Sequence, residues 1–526
     1  MNIISMIGSK YLLLFLKTEK DIYTLTPIIG EVINLKVFDN DIQLIKYEVL
    51  REIVKLTIKG TLKKEGKNLF KVLIPGPKAR TRCCIHKERA IIGERIKIVM
   101  GGDKKNKNVV QVINIACDEC PIQRFTVTEA CRGCLTHKCV QVCPVGAIHS
   151  INRRSYIDTN KCVECGKCRD VCPYNAISDV KRPCIRACNA GALSIDEDKK
   201  AVIDDEKCIQ CGACVYQCPF GAIMDKSSVV SITKLLVEAK EDENKHVYAV
   251  VAPAISSQFT YVKLGQVVSG IKQMGFKDVI EVALGADMVA HNETSEFLEN
   301  IDELKAMTSS CCPAFVSYIK KHYPELGKYV SSTVSPMIAI SKLIKNTDPL
   351  AKVVFIGPCT AKKMEIKQVD IKGITDYAMT FEELQAMFDA FDIDLEGCEE
   401  LPLNNASFYG RIFARSGGLT EAVKHLVESS ENTSVEFTPI SCDGLIECDK
   451  ALKLLKFNRL NGNFIEGMAC SGGCIGGPAS LNHGPKDKKE VDKYGKLALE
   501  QEIKGSLKVI KIEEIDLHRG KDFMTK

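Results

Sequence analysis

The chain has 526 residues, 45% of them hydrophobic, with 72 basic against 67 acidic side chains and a net charge of +5. That length supports two or three domains with proper cores, and the apolar share excludes a disordered chain. A charge this nearly balanced argues against nucleic acid or an anionic membrane as the main partner.

The first segment, "MNIISMIGSKYLLLFLKTEK", makes a poor signal peptide. Its apolar run "YLLLFL" is short and no small-residue cleavage site follows, so it reads as a buried strand. No run reaches the roughly 18 apolar residues of a membrane span. A cytoplasmic protein is expected, and there clustered cysteines point to metal or catalysis. In residues 1–115, "GERIKIVM" and "NVVQVINIA" are rich in β-branched residues, and "GGDKKNKN" between them reads as a turn. A small β-rich domain of unassigned role is predicted there. Its two cysteines, Cys83 and Cys84, read as buried or idle thiols.

Residues 116–226 hold sixteen of the 26 cysteines. "CRGCLTHKCVQVCP" carries Cys131, Cys134, Cys139 and Cys143. "CVECGKCRDVCP" carries Cys162, Cys165, Cys168 and Cys172, and "CIQCGACVYQCP" carries Cys208, Cys211, Cys214 and Cys218. The last two are the bacterial ferredoxin run, in which three close thiolates wrap one [4Fe–4S] cube and the fourth ligates the neighbouring cube. Soft anionic thiolates suit iron. Zinc remains the rival only for a lone CxxC.

Under that rule Cys131, Cys134 and Cys139 take Cys172, and Cys162, Cys165 and Cys168 take Cys143. Two half-runs are left: "CDEC" (Cys117, Cys120) and "RPCIRACNAGAL" (Cys184, Cys188). Joined, they make one run split by an inserted ferredoxin, with the inner unit at 128–180. Cys117, Cys120 and Cys184 then take Cys218, and Cys208, Cys211 and Cys214 take Cys188. Four accessory clusters account for all sixteen thiols. His137 reads as a loop residue, because its run already has four.

Residues 227–526 read as α/β. "HVYAVVAPA", "KVVFIGPC" and "NFIEGMAC" look like buried strands ending in loops. "KLGQVVSGIKQMGF", "SPMIAISKLIKN" and "GGLTEAVKHLVE" look like amphipathic helices. The predicted fold is thus multidomain α/β: a β-rich N-terminal domain, a nested ferredoxin-like α+β region, and a C-terminal α/β domain. Sites in such folds gather at strand ends, where "TSSCCPAF", "GPCTAKKME" and "GMACSGGCIGGP" put Cys311, Cys312, Cys359, Cys470 and Cys474. Adjacent residues in an extended segment face opposite sides, so Cys311 and Cys312 are expected to do different jobs.

From about 246 to 480, the order, spacing and flanks of these motifs resemble the H-cluster motifs of [FeFe] hydrogenases. The resemblance implies a [4Fe–4S] cube joined through a cysteine to a diiron unit carrying CO, cyanide and azadithiolate. Cys312, Cys359, Cys470 and Cys474 match the cube ligands, with Cys474 bridging. Lys362 matches a lysine that hydrogen-bonds cyanide, which is the donor a buried anion needs. Pro253 and Ala254 match the loop at the other cyanide, and Met468 matches a methionine packed on the diiron unit. Neighbouring Lys363 reads as solvated.

Cys311, Glu293, Glu296, Ser331 and Glu365 match the family's proton relay. Its outer arginine has no match, and Asn300 lies near that place. Gly357, Phe315, Met337 and "IGGPA" also depart from the best-known branch. Cys398, Cys442 and Cys448 stay unassigned, the last two either lining the pocket or forming a buried pair. The implied activity is reversible H2 oxidation with ferredoxin as electron partner, after maturation proteins install the diiron unit. "INRRS", Lys161, Lys167 and Arg169 would form a basic docking face. A hydrogen sensor with little turnover and an iron–sulfur assembly protein are the alternatives.

Overall fold

The computed structural model describes residues 38, 40–121, 123–430, 435–520 and 523–524. The "YLLLFL" run lies outside them. Helix α1 (Asp41–Ile58) begins at Asn40, whose side chain accepts from the N–H groups of Ile42 and Gln43 at 3.1 Å each. Helix α2 (Ile85–Val99) buries Ile92, Ile96 and Val99 at spacings of four and three, one face of a helix.

The β-rich expectation for residues 1–115 therefore fails over the described part. "GERIKIVM" forms the end of α2, and "NVVQVINIA" yields one short strand, β1 (Val110–Val112). β-Branched content alone does not separate a strand from a buried helix; the packed face does.

The cysteine-rich region is built from concentric antiparallel ladders. β1 pairs with β8 (Ile223–Asp225), Val110 opposite Asp225. Inside that pair, β2 (Phe125–Val127) pairs with β5 (Ile177–Asp179), Phe125 opposite Asp179. β3 (Ile148–Ile151) and β4 (Arg154–Ile157) form a hairpin inside it. β6 (Leu193–Ile195) and β7 (Ala201–Ile203) form a second hairpin within the outer pair only.

The C-terminal part carries two parallel sheets. In the first, β9 (Val247–Val251) lies between β10 (Asp278–Glu281) and β12 (Lys352–Ile356), with β13 (Tyr377–Met379) at the edge. In the second, β15 (Phe464–Met468) lies between β11 (Met307–Thr308) and β14 (Pro439–Asp443). "VYAVV" and "FIEGM" are almost continuously buried, as parallel strands covered on both faces are. The three helices read from the sequence form at α3 (Leu264–Gln273), Pro336–Thr347 and Gly418–Glu428.

Candidate metal centres

The carboxyl ends of β9, β12 and β15 meet the amino ends of α4 (Pro313–His322) and α5 (Thr360–Glu365) around one cavity. Cys311, Cys312, Cys359, Cys470, Cys474 and Lys362 all line it. Cys312 and Cys359 stand immediately before α4 and α5. Cys470 and Cys474 lie on the loop after β15. Gly473 there has φ +86°, and a Cβ on it would stand 2.6 Å from the Ser416 backbone nitrogen, so only glycine lets the loop close.

Burial, then neighbouring thiols, pushes the Cys359 thiol up to about 11 and Cys474 up to about 12. Cys470 is raised well above its ordinary value for the same reasons. Such thiols ionise only when metal charge replaces their protons. Around one zinc, thiolates stand about 3.8 Å apart. Among the described residues no three His, Cys, Asp or Glu side chains are arranged to hold a single ion. A set of soft thiols around a shared cavity fits a cluster better than an ion.

The polar side chains beside the cavity form two sets. Lys362 is buried, and its Nζ lies 2.9 Å from the Glu365 carboxylate and donates to the Cys311 carbonyl at 3.5 Å. Burial alone would lower the Lys362 pKa, but Glu365 and then the thiolates of Cys359 and Cys474 raise it, so it stays cationic. The second set leads away from Cys311. Glu293 is wholly buried; its Oε1 accepts from the Ser310 N–H at 2.8 Å and hydroxyl at 2.7 Å, while its Oε2 has no hydrogen-bond partner.

Burial raises the Glu293 carboxyl to about 7 against the pull of Ser310. Burial, then this carboxylate, raises the Cys311 thiol well above its ordinary range. The Ser331 hydroxyl stands near Glu293 and donates to Glu296 Oε2 at 2.6 Å. Cys311, Glu293, Ser331 and Glu296 thus follow one another, whereas Glu365 is brought to Lys362. Ser310 escaped the sequence reading although "TSSCC" displays it. Pro253 and Met468 line the cavity, and Ala254 is buried just behind it.

In the cysteine-rich region, Cys131, Cys134, Cys139 and Cys172 border one cavity, and Cys143, Cys162, Cys165 and Cys168 another. Burial raises Cys184 to about 11, with Cys218, Cys117 and Cys120 adding to the rise. Cys211, Cys208 and Cys188, followed by Cys184 of the neighbouring group, raise Cys214 after burial. One contact recurs at the end of every run. The amides of Ala147, Ala176, Ala192 and Ala222 donate to the sulfurs of Cys143, Cys172, Cys188 and Cys218 at 3.2–3.3 Å. The odd segment "CNAGA" therefore folds like its three relatives. Cys211 borders the C-terminal cavity and is close enough to Cys470 to raise it.

Other expectations are corrected. Lys363 is not solvated: it is buried, with Nζ 2.7 Å from Asp225 and 2.8 Å from Glu383. Asp225 also pairs with Lys46 of α1 at 2.7 Å, and Lys46 with Glu382. This network ties α1, β8, α5 and α6 (Phe381–Ala390) together; sequence spacing could not show it. The basic face is partly neutralised, since Arg169 pairs with Asp170 and Asp179, and Lys161 with Asp158.

Cys442 and Cys448 are buried neighbours that do not themselves line the cavity, and the Cys448 thiol donates to the Met468 carbonyl at 3.5 Å. Cys398 is buried against Gln273, and Cys83 and Cys84 are exposed. A Cβ on Gly357 would stand 2.5 Å from the Phe355 ring. Phe355 itself lines the cavity, so it takes the space a larger residue at 357 would need.

Residues 130–177 and 154–219 match 4Fe-4S dicluster domains, so this stretch is similar to iron–sulfur cluster-binding domains. Residues 245–478 match the iron only hydrogenase large subunit, C-terminal domain. Over that stretch the chain is similar to the [FeFe] hydrogenases. Iron hydrogenase 1 of Clostridium pasteurianum is 29% identical over 299 residues, 47% of this chain and 52% of that protein. The cytosolic Fe-S cluster assembly factor NAR1 of Eremothecium gossypii is 28% identical over 137 residues, 25% of this chain and 30% of its own. A solved [FeFe]-hydrogenase structure aligns with 56% of this chain and 98% of its own at 19% identity, with a TM-score of 0.47. The chain spans about half the length of the first curated relatives. Among the described residues no helix is long and apolar enough to cross a membrane.

Proposed function

We propose that the protein catalyses 2H+ + 2e− ⇌ H2, exchanging electrons with ferredoxin or a similar small carrier. The observation that carries this is the fifth thiol, Cys311, beside a four-thiol cavity and next to a buried carboxyl raised to about 7. A purely structural cluster site has no use for that pair.

Cys312, Cys359, Cys470 and Cys474 would hold the H-cluster, which when bound supplies the centre where H2 is formed or split. Lys362 offers a cationic donor inside the cavity, held by Glu365. Pro253, Met468 and Phe355 wall it with apolar surface and keep water out. Cys311, protonated at neutral pH, passes protons between the cavity and Glu293. A group titrating near the working pH both accepts and donates readily, and the free Oε2 of Glu293 is open to receive. Ser331 and Glu296 carry the path outward.

The sixteen thiols of residues 116–226, in nested ferredoxin-like units, would hold four [4Fe–4S] clusters. The Cys188–Cys208–Cys211–Cys214 group abuts the catalytic cavity and is the last stop for electrons. Likeness to an assembly factor keeps a second reading, a cluster protein without a diiron unit. Cys311, Lys362 and Glu365 favour the enzyme.

The test is anaerobic maturation with the diiron maturation proteins, followed by infrared spectroscopy and an H2 assay. CO and cyanide bands with turnover support the enzyme. Bands without turnover mean a sensor, and no bands after proven maturation means the assembly-type protein. Cys311→Ala is expected to keep the bands and lose most of the activity.

A further inference from the structure

The internal path ends at Glu296, which is half-buried. Its Oε2 accepts from the hydroxyls of Ser331 at 2.6 Å and Thr333 at 3.1 Å, and its Oε1 from the Ser332 N–H at 2.8 Å. Asn300, near the place of the missing arginine, only donates its amide to the Glu296 carbonyl at 2.8 Å and cannot titrate. A remote segment covers this end instead. Thr333 pairs antiparallel with His518, the Val334 N–H donates to the Leu517 carbonyl at 2.8 Å, and the Arg519 N–H donates to the Ser332 carbonyl at 2.7 Å. Buried Leu517 and the Arg519–Asp370 pair at 2.8 Å hold that segment down.

The pairing fixes the His518 ring. Nδ1 lies 2.7 Å from the Ser332 hydroxyl and Nε2 lies 3.4 Å from the Asn292 amide nitrogen. That amide nitrogen only donates, so Nε2 accepts from it and Nδ1 carries the proton of the neutral ring. Asn292 also donates to Thr333 Oγ1 at 2.8 Å. Glu296 and His518 therefore both contact Ser332 and Thr333. His518 is exposed to solvent.

We propose that His518 is the proton-exchange group at the outer mouth of the path; this rests on the hydrogenase reading above. Imidazole is the side chain whose ordinary titration lies nearest neutral pH, so it can both take and release a proton there. Outward, the Glu296 carboxyl loses its proton through solvent water to Nε2, the ring nitrogen without a proton, leaving carboxylate and imidazolium. The imidazolium then releases the proton to buffer. The charges around it suit this. Asp516 accepts the His518 backbone N–H at 3.0 Å. Lys342 lies 4.0 Å from Asp516, and Arg519 is matched by Asp370.

His518→Asn keeps a donor near the Nδ1 position for Ser332 but cannot exchange a proton. The matured variant should keep its CO and cyanide bands and lose rate on the order of tenfold, and imidazole in the buffer should restore most of it. An unchanged rate, or a loss that imidazole does not rescue, overturns the proposal. His518→Gln, a second variant that cannot exchange a proton, should lose the same rate and regain it with imidazole. A matured wild type that makes no H2 defeats the hydrogenase reading instead; a wild type that turns over beside His518 variants at full rate defeats this proposal alone.

Discussion

Glu293 offers the sharpest perturbation. An exposed glutamate titrates at 4.5, whereas burial raises this one to about 7. At about pH 6 it should then be ~90% protonated, against ~3% for an ordinary glutamate. The linked stability has a definite sign. Between the two pKa values the folded state binds more protons than the unfolded state, so stability falls as pH rises through that window. The rise from 4.5 to about 7, at about 1.4 kcal/mol per pH unit, amounts to about 3 kcal/mol, present in full below 4.5 and lost by the time pH passes about 7.

Glu293→Gln should remove this dependence. The assay is an infrared titration of the protonated-carboxyl band, wild type minus Glu293→Gln, from about pH 4 to about pH 9. A difference band that halves near pH 7 is expected. A midpoint near 4.5, or no difference band, would refute the argument that burial outweighs the two Ser310 hydrogen bonds. On the proposed hydrogenase reading, the same variant of the matured protein should keep its CO and cyanide bands while its rate falls on the order of a hundredfold or more.

Cys117→Ser and Cys184→Ser should each lose the same cluster by EPR and iron analysis, and Cys188→Ser a different one. If Cys117→Ser and Cys184→Ser remove different clusters, the split run is not one ligand set. Lys46→Met leaves the buried carboxylates of Asp225 and Glu382 short of a partner. It should lower stability by about 3–5 kcal/mol, visible as a lower thermal midpoint, and an unchanged midpoint would mean the network is idle.

The grouping of the thiols was legible in the sequence because cluster spacing is local chemistry. Cys162, Cys165 and Cys168 must lie on one turn of chain whatever surrounds them, and the match of sixteen thiols to four cubes pointed to a partner for "CDEC" some sixty residues away. Buried strands such as "VYAVV" were legible for the same reason, since both faces of a parallel strand demand apolar side chains.

What the sequence left open depends on which surfaces meet. Ile92, Ile96 and Val99 satisfy either a strand or a helix by composition, and only packing selected the helix. Lys363 looks solvated beside Lys362 until Asp225 and Glu383, contributed by distant segments, close on it. Glu365 matched a relay by motif, but the fold gives it to Lys362. His518 lies more than 180 residues beyond Ser332, and no spacing rule joins them. The sequence by itself determined the local donors and the chemistry they can support. The tertiary structure decided their partners, because burial and charge pairing are properties of surfaces brought together from distant parts of the chain.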